Sequence, residues 1–127
     1  MTDTLLKRAF LVDGIGSLAS TAVLVADAEV LADPLGLSVG FLTTTGWLLL
    51  PVALLFFWIA RTGTQSLAMI GIAGNVAWVL ASVAAIPILA PTTLGAVVIL
   101  VQAVLVAEIA WFEWRGLKRA RASNVYV

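Results

Sequence analysis

Long segments without charged residues alternate along the chain with short segments that contain them, and this pattern predicts membrane-spanning α-helices. The longest uncharged segment covers 46 residues, from 62 to 107. As a single helix it would be about 69 Å long, more than twice the roughly 30 Å of a bilayer's apolar core. Two crossings are therefore predicted, with Pro87 and Pro91 marking the break between them.

The first half of the chain predicts two further crossings. Residues 34–60 also lack charge, and their most apolar part predicts a helix in which Pro51 introduces a kink rather than an end. An earlier, less apolar helix carries Asp13. The four predicted crossings cover residues 5–26, 43–60, 66–86 and 92–114. The sequence thus predicts an all-α integral membrane four-helix bundle, running up-down-up-down, as a single transmembrane domain over residues 1–127.

Residues 27–42 connect the first two predicted crossings and carry acids interspersed with aliphatic side chains. Asp27, Glu29 and Asp33 supply the acids, and Asp33-Pro34-Leu35-Gly36 is typical of a turn. We expect a short amphipathic helix lying along the outer membrane surface, followed by that turn.

The basic residues predict how the bundle is oriented. Cytoplasmic segments of membrane proteins are enriched in Lys and Arg. In a four-crossing topology all seven basic residues fall on one side, and they are Lys7, Arg8, Arg61, Arg115, Lys118, Arg119 and Arg121. Both termini are therefore predicted to be cytoplasmic in a bacterial inner membrane, with residues 115–127 as a basic cytoplasmic tail.

The amino-acid composition also indicates that this protein is surrounded by lipid. Hydrophobic residues make up 62% and charged residues 11% of the chain, with a mean hydropathy of +1.12. Soluble domains contain about 25% charged residues, because water-facing surfaces need them. The bilayer is thus the first expected partner, and a formal net charge of zero gives no reason to expect nucleic acid.

An alternative for the first predicted crossing is a secretory signal peptide. Lys7-Arg8, the apolar stretch after them and Ala26-Asp27-Ala28 resemble its charged, apolar and cleavage regions. Asp13 interrupts the apolar region, which favours a retained transmembrane helix.

The absence of histidine and cysteine excludes several kinds of catalytic and metal-binding site. A Ser-His-Asp triad, a disulfide framework, a thiolate nucleophile and nearly all transition-metal sites need one of these residues. We therefore expect no enzyme activity, no catalytic residues, no bound metal and no cofactor.

Polar side chains inside the predicted helices are the candidate functional residues, because they are costly in hydrocarbon. Asp13, Asn75 and Glu108 all fall in the cytoplasmic half of their helices and are predicted to meet. One explanation is a hydrogen-bonded clamp that fixes helix register. The other is a protonatable relay or substrate site. Ser17, Trp78 and Gln102 are secondary candidates.

Three functions are compatible with these features. The first is a non-enzymatic accessory, scaffold or assembly protein, present as a homo-oligomer or within a larger membrane complex. The second is a proton-coupled small-molecule transporter that uses the intramembrane carboxylates. The third is a lipid, quinone or pigment binder, suggested by Trp78 near Asn75 in an apolar interior.

Short motifs carry a resemblance that covers nearly the whole chain. Lys7–Gly14, Asn75–Trp78 and Pro91–Gly95, with Gln102 and Glu108, resemble an uncharacterised family of small bacterial four-helix integral membrane proteins. The resemblance implies that the shared positions are Asp13, Asn75, Trp78, Gln102 and Glu108. Small multidrug resistance transporters are similar in length, in helix number and in having a carboxylate in helix 1. Several of those form antiparallel dimers and lack a Lys/Arg bias, whereas the bias here predicts a single orientation.

Overall fold

A computed structural model describes residues 4–123, which form five α-helices and no β-strand. The helices are α1 Thr4–Ala26, α2 Ala28–Leu35, α3 Val39–Thr62, α4 Gln65–Leu89 and α5 Thr93–Ser123. All of them except α2 are long and apolar enough to cross a membrane. The predicted all-α fold with four long apolar helices is thus confirmed.

All four long helices extend beyond their predicted bounds, and α3 and α5 do so the most. α3 begins at Val39 because Ser38 caps it, its Oγ accepting a hydrogen bond from the Phe41 amide at 3.0 Å. α5 continues through the first nine residues of the predicted tail, 115–123, because Gly116 and Leu117 are buried in the bundle. The last part of that tail, residues 124–127, lies outside the described residues, as do residues 1–3.

The break between α4 and α5 comes at Pro91 and not at Pro87. Pro87 lies within the last turn of α4, as Pro51 lies within α3. Ala90 ends α4 in the left-handed region with φ 45°, and its amide donates to the Ile86 carbonyl at 3.0 Å. The residue before a proline is disfavoured in α-helical conformation, which accounts for the end at this position.

Glycines allow α1 to approach both α3 and α5 closely. A Cβ on Gly14 would lie 3.0 Å from the Phe57 ring, and one on Gly46 would lie 2.9 Å from Val25, so α1 and α3 run in opposite directions. At Gly116 of α5 a Cβ would lie 2.5 Å from the Leu6 amide nitrogen of α1. α4 packs on α5, and its contact with α3 is small.

Two apolar clusters lie at opposite ends of the helices. The first draws on all four long helices and contains Leu6, Phe10, Phe56, Ile59, Ala68, Ile72, Leu117 and Ala120. The second contains Ala28, Ala32, Leu35, Leu37 and Leu42. The seven basic residues lie in the segments around the first cluster, and Asp27, Glu29 and Asp33 lie around the second. We call these the basic end and the acidic end.

Candidate functional site

Three buried polar side chains from three helices meet next to the basic-end cluster. Asn75 of α4 donates from Nδ2 to Asp13 Oδ2 of α1 at 2.6 Å and to Glu113 Oε1 of α5 at 2.7 Å. The exposed fraction is 5% for Asp13, 6% for Asn75 and 0% for Glu113. One amide therefore bridges two carboxyl groups. We call Asp13, Asn75 and Glu113 the carboxyl triad.

Packing around Phe10 brings the triad together. The Phe10 ring contacts Phe56 with a centroid distance of 5.5 Å, and it occupies the space above Gly71, where a Cβ would lie 2.7 Å from the ring. Asp13 follows Phe10 by about one helical turn, and Asn75 follows Gly71 by about one turn. Contact between Phe10 and Gly71 thus places the carboxyl and the amide within reach of each other.

The triad contains more acceptors than donors. Both N–H groups of the Asn75 amide are in use, and Glu113 Oε2 is buried with no hydrogen-bond partner among the described residues. The carboxyl groups of Asp13 and Glu113 lie side by side, because both accept from the same Asn75 nitrogen. A proton on one of them would remove the repulsion between two adjacent carboxylates. The arrangement can therefore fix three helices to one another, hold a proton, or do both.

The structure brings Asp13 and Asn75 together as predicted and leaves Glu108 outside. Glu108 is exposed on α5, whereas Glu113 is fully buried and takes its place in the triad. Five residues of α-helix separate the two glutamates by about 140° around the helix axis. They consequently cannot face the same neighbours.

A repeat of buried residues in α5 is the signal that identifies Glu113. Ala103, Ala110 and Leu117 are buried at intervals of seven, and Glu113 and Ala120 form a second row with the same interval. This spacing is typical of the seam between packed helices. Ending the predicted helix at residue 114 hid the repeat, because Glu113 then fell at the helix terminus.

Two of the secondary candidates form a separate polar cluster between α4 and α5. Trp78 Nε1 donates to Gln102 Oε1 at 2.8 Å, and Gln102 Nε2 donates to Ser82 Oγ at 2.9 Å. We call Trp78, Ser82 and Gln102 the indole cluster. Ser17, the third secondary candidate, is half-buried on α1, where its backbone carbonyl accepts from Thr21 Oγ1 at 3.1 Å.

Neither polar cluster lines a large apolar groove on the described part of the chain. This groove of about 390 Å³ runs between α4 and α5 and is lined by Ile72, Val76, Val79, Leu80, Ala107, Ala110, Trp111 and Trp114. Oriented polar groups, which small-molecule sites use to select a ligand, are missing from this lining. Within residues 4–123 there is also no group of three or more acidic, histidine or cysteine side chains able to hold a metal ion.

Comparisons with known proteins leave the class of this chain open. No family model, no curated protein and no solved structure matches it. The resemblance to the family of small four-helix membrane proteins therefore stays a prediction. The polar clusters and the exposed surface are the basis for a proposed function.

Proposed function

We propose that this protein is a non-enzymatic scaffold or assembly subunit of a bacterial inner membrane. In this proposal it crosses the membrane four times as an up-down-up-down bundle with both termini in the cytoplasm. The position of all seven basic residues at one end supports that orientation, because Lys and Arg are retained on the cytoplasmic side. Exposed Leu, Val and Ile side chains along the four long helices support lipid as the surroundings.

The position of Glu108 is the observation that carries the scaffold proposal. Glu108 is exposed on α5 among apolar side chains, of which Val104 is 57% and Leu105 is 53% exposed. It lies about 10 Å along the helix from Arg115, which places it inside the predicted span. Charged residues within spans almost always face protein or water rather than lipid. A partner helix that donates a hydrogen bond or a positive charge to Glu108 would satisfy this carboxylate.

The use of the internal polar groups also favours this function over solute transport. The carboxyl triad joins α1, α4 and α5, and the indole cluster joins α4 and α5. Interhelical hydrogen bonds of this kind stabilise membrane bundles, where lipid provides no hydrophobic force between helices. Glu108, in contrast, contributes nothing to the interior, so its role lies on the outer surface.

Photocrosslinking in native membranes tests the scaffold proposal. A photoreactive amino acid at Leu105, one turn before Glu108, should give one product of defined mass, with a second copy or with a different membrane protein. Glu108→Leu should remove that product. Glu29→Leu, which changes an exposed acid at the acidic end, should leave it unchanged. Crosslinking to lipid alone, or a product that persists in Glu108→Leu, would contradict the proposal.

A proton-coupled transporter is the second candidate, and the buried oxygen Glu113 Oε2 favours it. This oxygen has no hydrogen-bond partner among the described residues and belongs to a carboxyl group that shares the Asn75 amide with Asp13. Two adjacent carboxyl groups can share and release one proton, which is the chemistry a relay requires.

Liposomes that contain a pH-sensitive dye separate the two functions. Under an imposed proton gradient a transporter should acidify the lumen, and both Asp13→Asn and Glu113→Gln should abolish that flux while the protein stays folded. Glu108→Gln is the control and should retain it. Flux no greater than in protein-free liposomes would eliminate the transporter and leave the scaffold.

A further inference from the structure

A second groove lies at the basic end, between the start of α1 and the end of α3. It has a volume of about 250 Å³ and is lined by Lys7, Arg8, Leu11, Phe57, Ala60 and Arg61. Half of these residues are basic and half are apolar. We propose that this groove binds one anionic phospholipid, with the phosphate between Arg8 and Arg61 and an acyl chain against Leu11 and Phe57.

The fold itself brings the two arginines into one groove. α1 and α3 run in opposite directions, and the Gly14 backbone approaches the Phe57 ring so closely that a Cβ would lie 3.0 Å from it. Arg8 precedes Gly14 by about one and a half turns, and Arg61 follows Phe57 by about one turn, which brings both toward the same end. α3 then ends at Thr62, and Gly63 caps it in a left-handed conformation (φ 66°).

The charge and the apolar surface of the groove favour a phospholipid over a soluble phosphate. Arg8 and Arg61 are both exposed, and like charges that share a groove repel each other unless an anion lies between them. Guanidinium groups match phosphate oxygens in geometry as well as in charge. Beside them, Leu11 is 45% exposed, so apolar surface continues from the groove along α1. A soluble phosphate would use the arginines alone, whereas a phospholipid uses both surfaces.

The basic residues of α5 provide the comparison within the same molecule. Arg119 is exposed near the end of α5 and does not line the groove. General attraction between basic residues and anionic membranes is worth about 1 kcal/mol per residue near the surface, whichever residue is changed. A built site differs from this general attraction because it depends on Arg8 and Arg61 in particular.

Native mass spectrometry of the full chain, delipidated in nonionic detergent, tests the assignment. Phosphatidylglycerol should bind as one copy and about 25-fold more tightly than phosphatidylcholine with the same acyl chains, about fivefold for each arginine. Arg8→Gln with Arg61→Gln should remove this preference, and Arg119→Gln should retain it. A preference equal in all three proteins, or an absent preference in the parent, would overturn the proposal.

Three further measurements guard against a folding defect and against a different ligand. Circular dichroism should show unchanged helix content in the double variant, and Arg8→Glu with Arg61→Glu should lower phosphatidylglycerol binding below that of phosphatidylcholine. Glycerol phosphate and inorganic phosphate should compete at least tenfold more weakly than phosphatidylglycerol. Competition by either at the same concentration as the lipid would show a soluble-phosphate site and overturn the lipid assignment.

Discussion

The basic end and the acidic end of this protein are held together by different means. At the basic end, large side chains from four helices interlock around Phe10, and the carboxyl triad lies directly beside them. Within α4 every buried residue falls between Ala68 and Asn75, in the half nearer the basic end. At the acidic end the short helix α2 packs against the start of α3 and of α5.

At the acidic end, hydrogen bonds to backbone carbonyls join the helices. At the basic end, hydrogen bonds between side chains join them. The Thr92 amide donates to the Leu35 carbonyl at 3.2 Å, and Thr92 Oγ1 donates to the Pro34 carbonyl at 2.6 Å. The bond between Thr92 Oγ1 and the Pro34 carbonyl is exposed, so water competes for it, whereas the triad is shielded from solvent. Hydrogen bonds are worth more in a low-dielectric interior and cost more when broken there. Substitutions that remove a hydrogen bond between helices should therefore lower the free energy of unfolding most at the basic end.

Removal of the amide from the carboxyl triad should have the largest effect. Asn75→Leu leaves Asp13 and Glu113 buried without their shared donor, and loss of one member of a buried charged network costs about 3 kcal/mol or more. The free energy of unfolding, measured by titration with a denaturing detergent, should fall by that amount. Ser20→Ala, which changes an exposed hydroxyl bonded within its own helix, is the control and should have little effect. Full stability in Asn75→Leu would show that the triad does not hold the bundle.

Added methyl groups at two glycines compare the ends directly. Gly116→Ala would bring a Cβ to 2.5 Å from the Leu6 backbone at the centre of the basic end, and overpacking of this kind costs about 2 kcal/mol. Gly95→Ala would bring a Cβ even closer to the Leu35 backbone carbonyl, so a loss of about 2 kcal/mol or more is expected at the acidic end as well.

Gly74→Ala is the matched control for both glycine substitutions. Nothing lies within 4 Å of a Cβ at this position, so the substitution should stabilise α4 by about 0.5 kcal/mol. The same detergent titration measures all three variants. Unchanged stability in Gly116→Ala or Gly95→Ala would show that the helices at that end can separate without cost.

The sequence predicts the number of helices well but not the faces that they bury. In water, an apolar face identifies the core side of a helix, because the other face must be polar. In a bilayer both faces are apolar, so the long uncharged segments define crossings without defining their rotation. Asp13 and Asn75 were predictable because they are polar residues within these segments. Glu113 was not, because it lies beside Trp114 and Arg115, where a helix end was expected.

Loss of the Thr92 hydroxyl should weaken the acidic end alone. Thr92→Val removes the bond to the Pro34 carbonyl and also the cap of α5, in which Thr92 Oγ1 accepts from the Gly95 amide at 3.1 Å. Loss of a cap costs about 1 kcal/mol. Hydrogen exchange should become faster for the amides of α2 and the first turn of α5, with the triad region unchanged. Thr93→Val, at the next exposed position, should leave both regions as they are.

The indole cluster should be the least sensitive of the polar contacts, although it is interhelical like the triad. Trp78→Phe removes the hydrogen bond to Gln102 but retains a large apolar ring, and Gln102 keeps Ser82 and the Ile99 carbonyl as partners. Interhelical hydrogen bonds in membrane proteins average about 0.6 kcal/mol, so a loss of that size is expected in the detergent titration. A loss equal to that of Asn75→Leu would mean that any polar contact between α4 and α5 stabilises the bundle equally. Burial of two carboxyl groups would then no longer explain why the basic end is the more sensitive of the two.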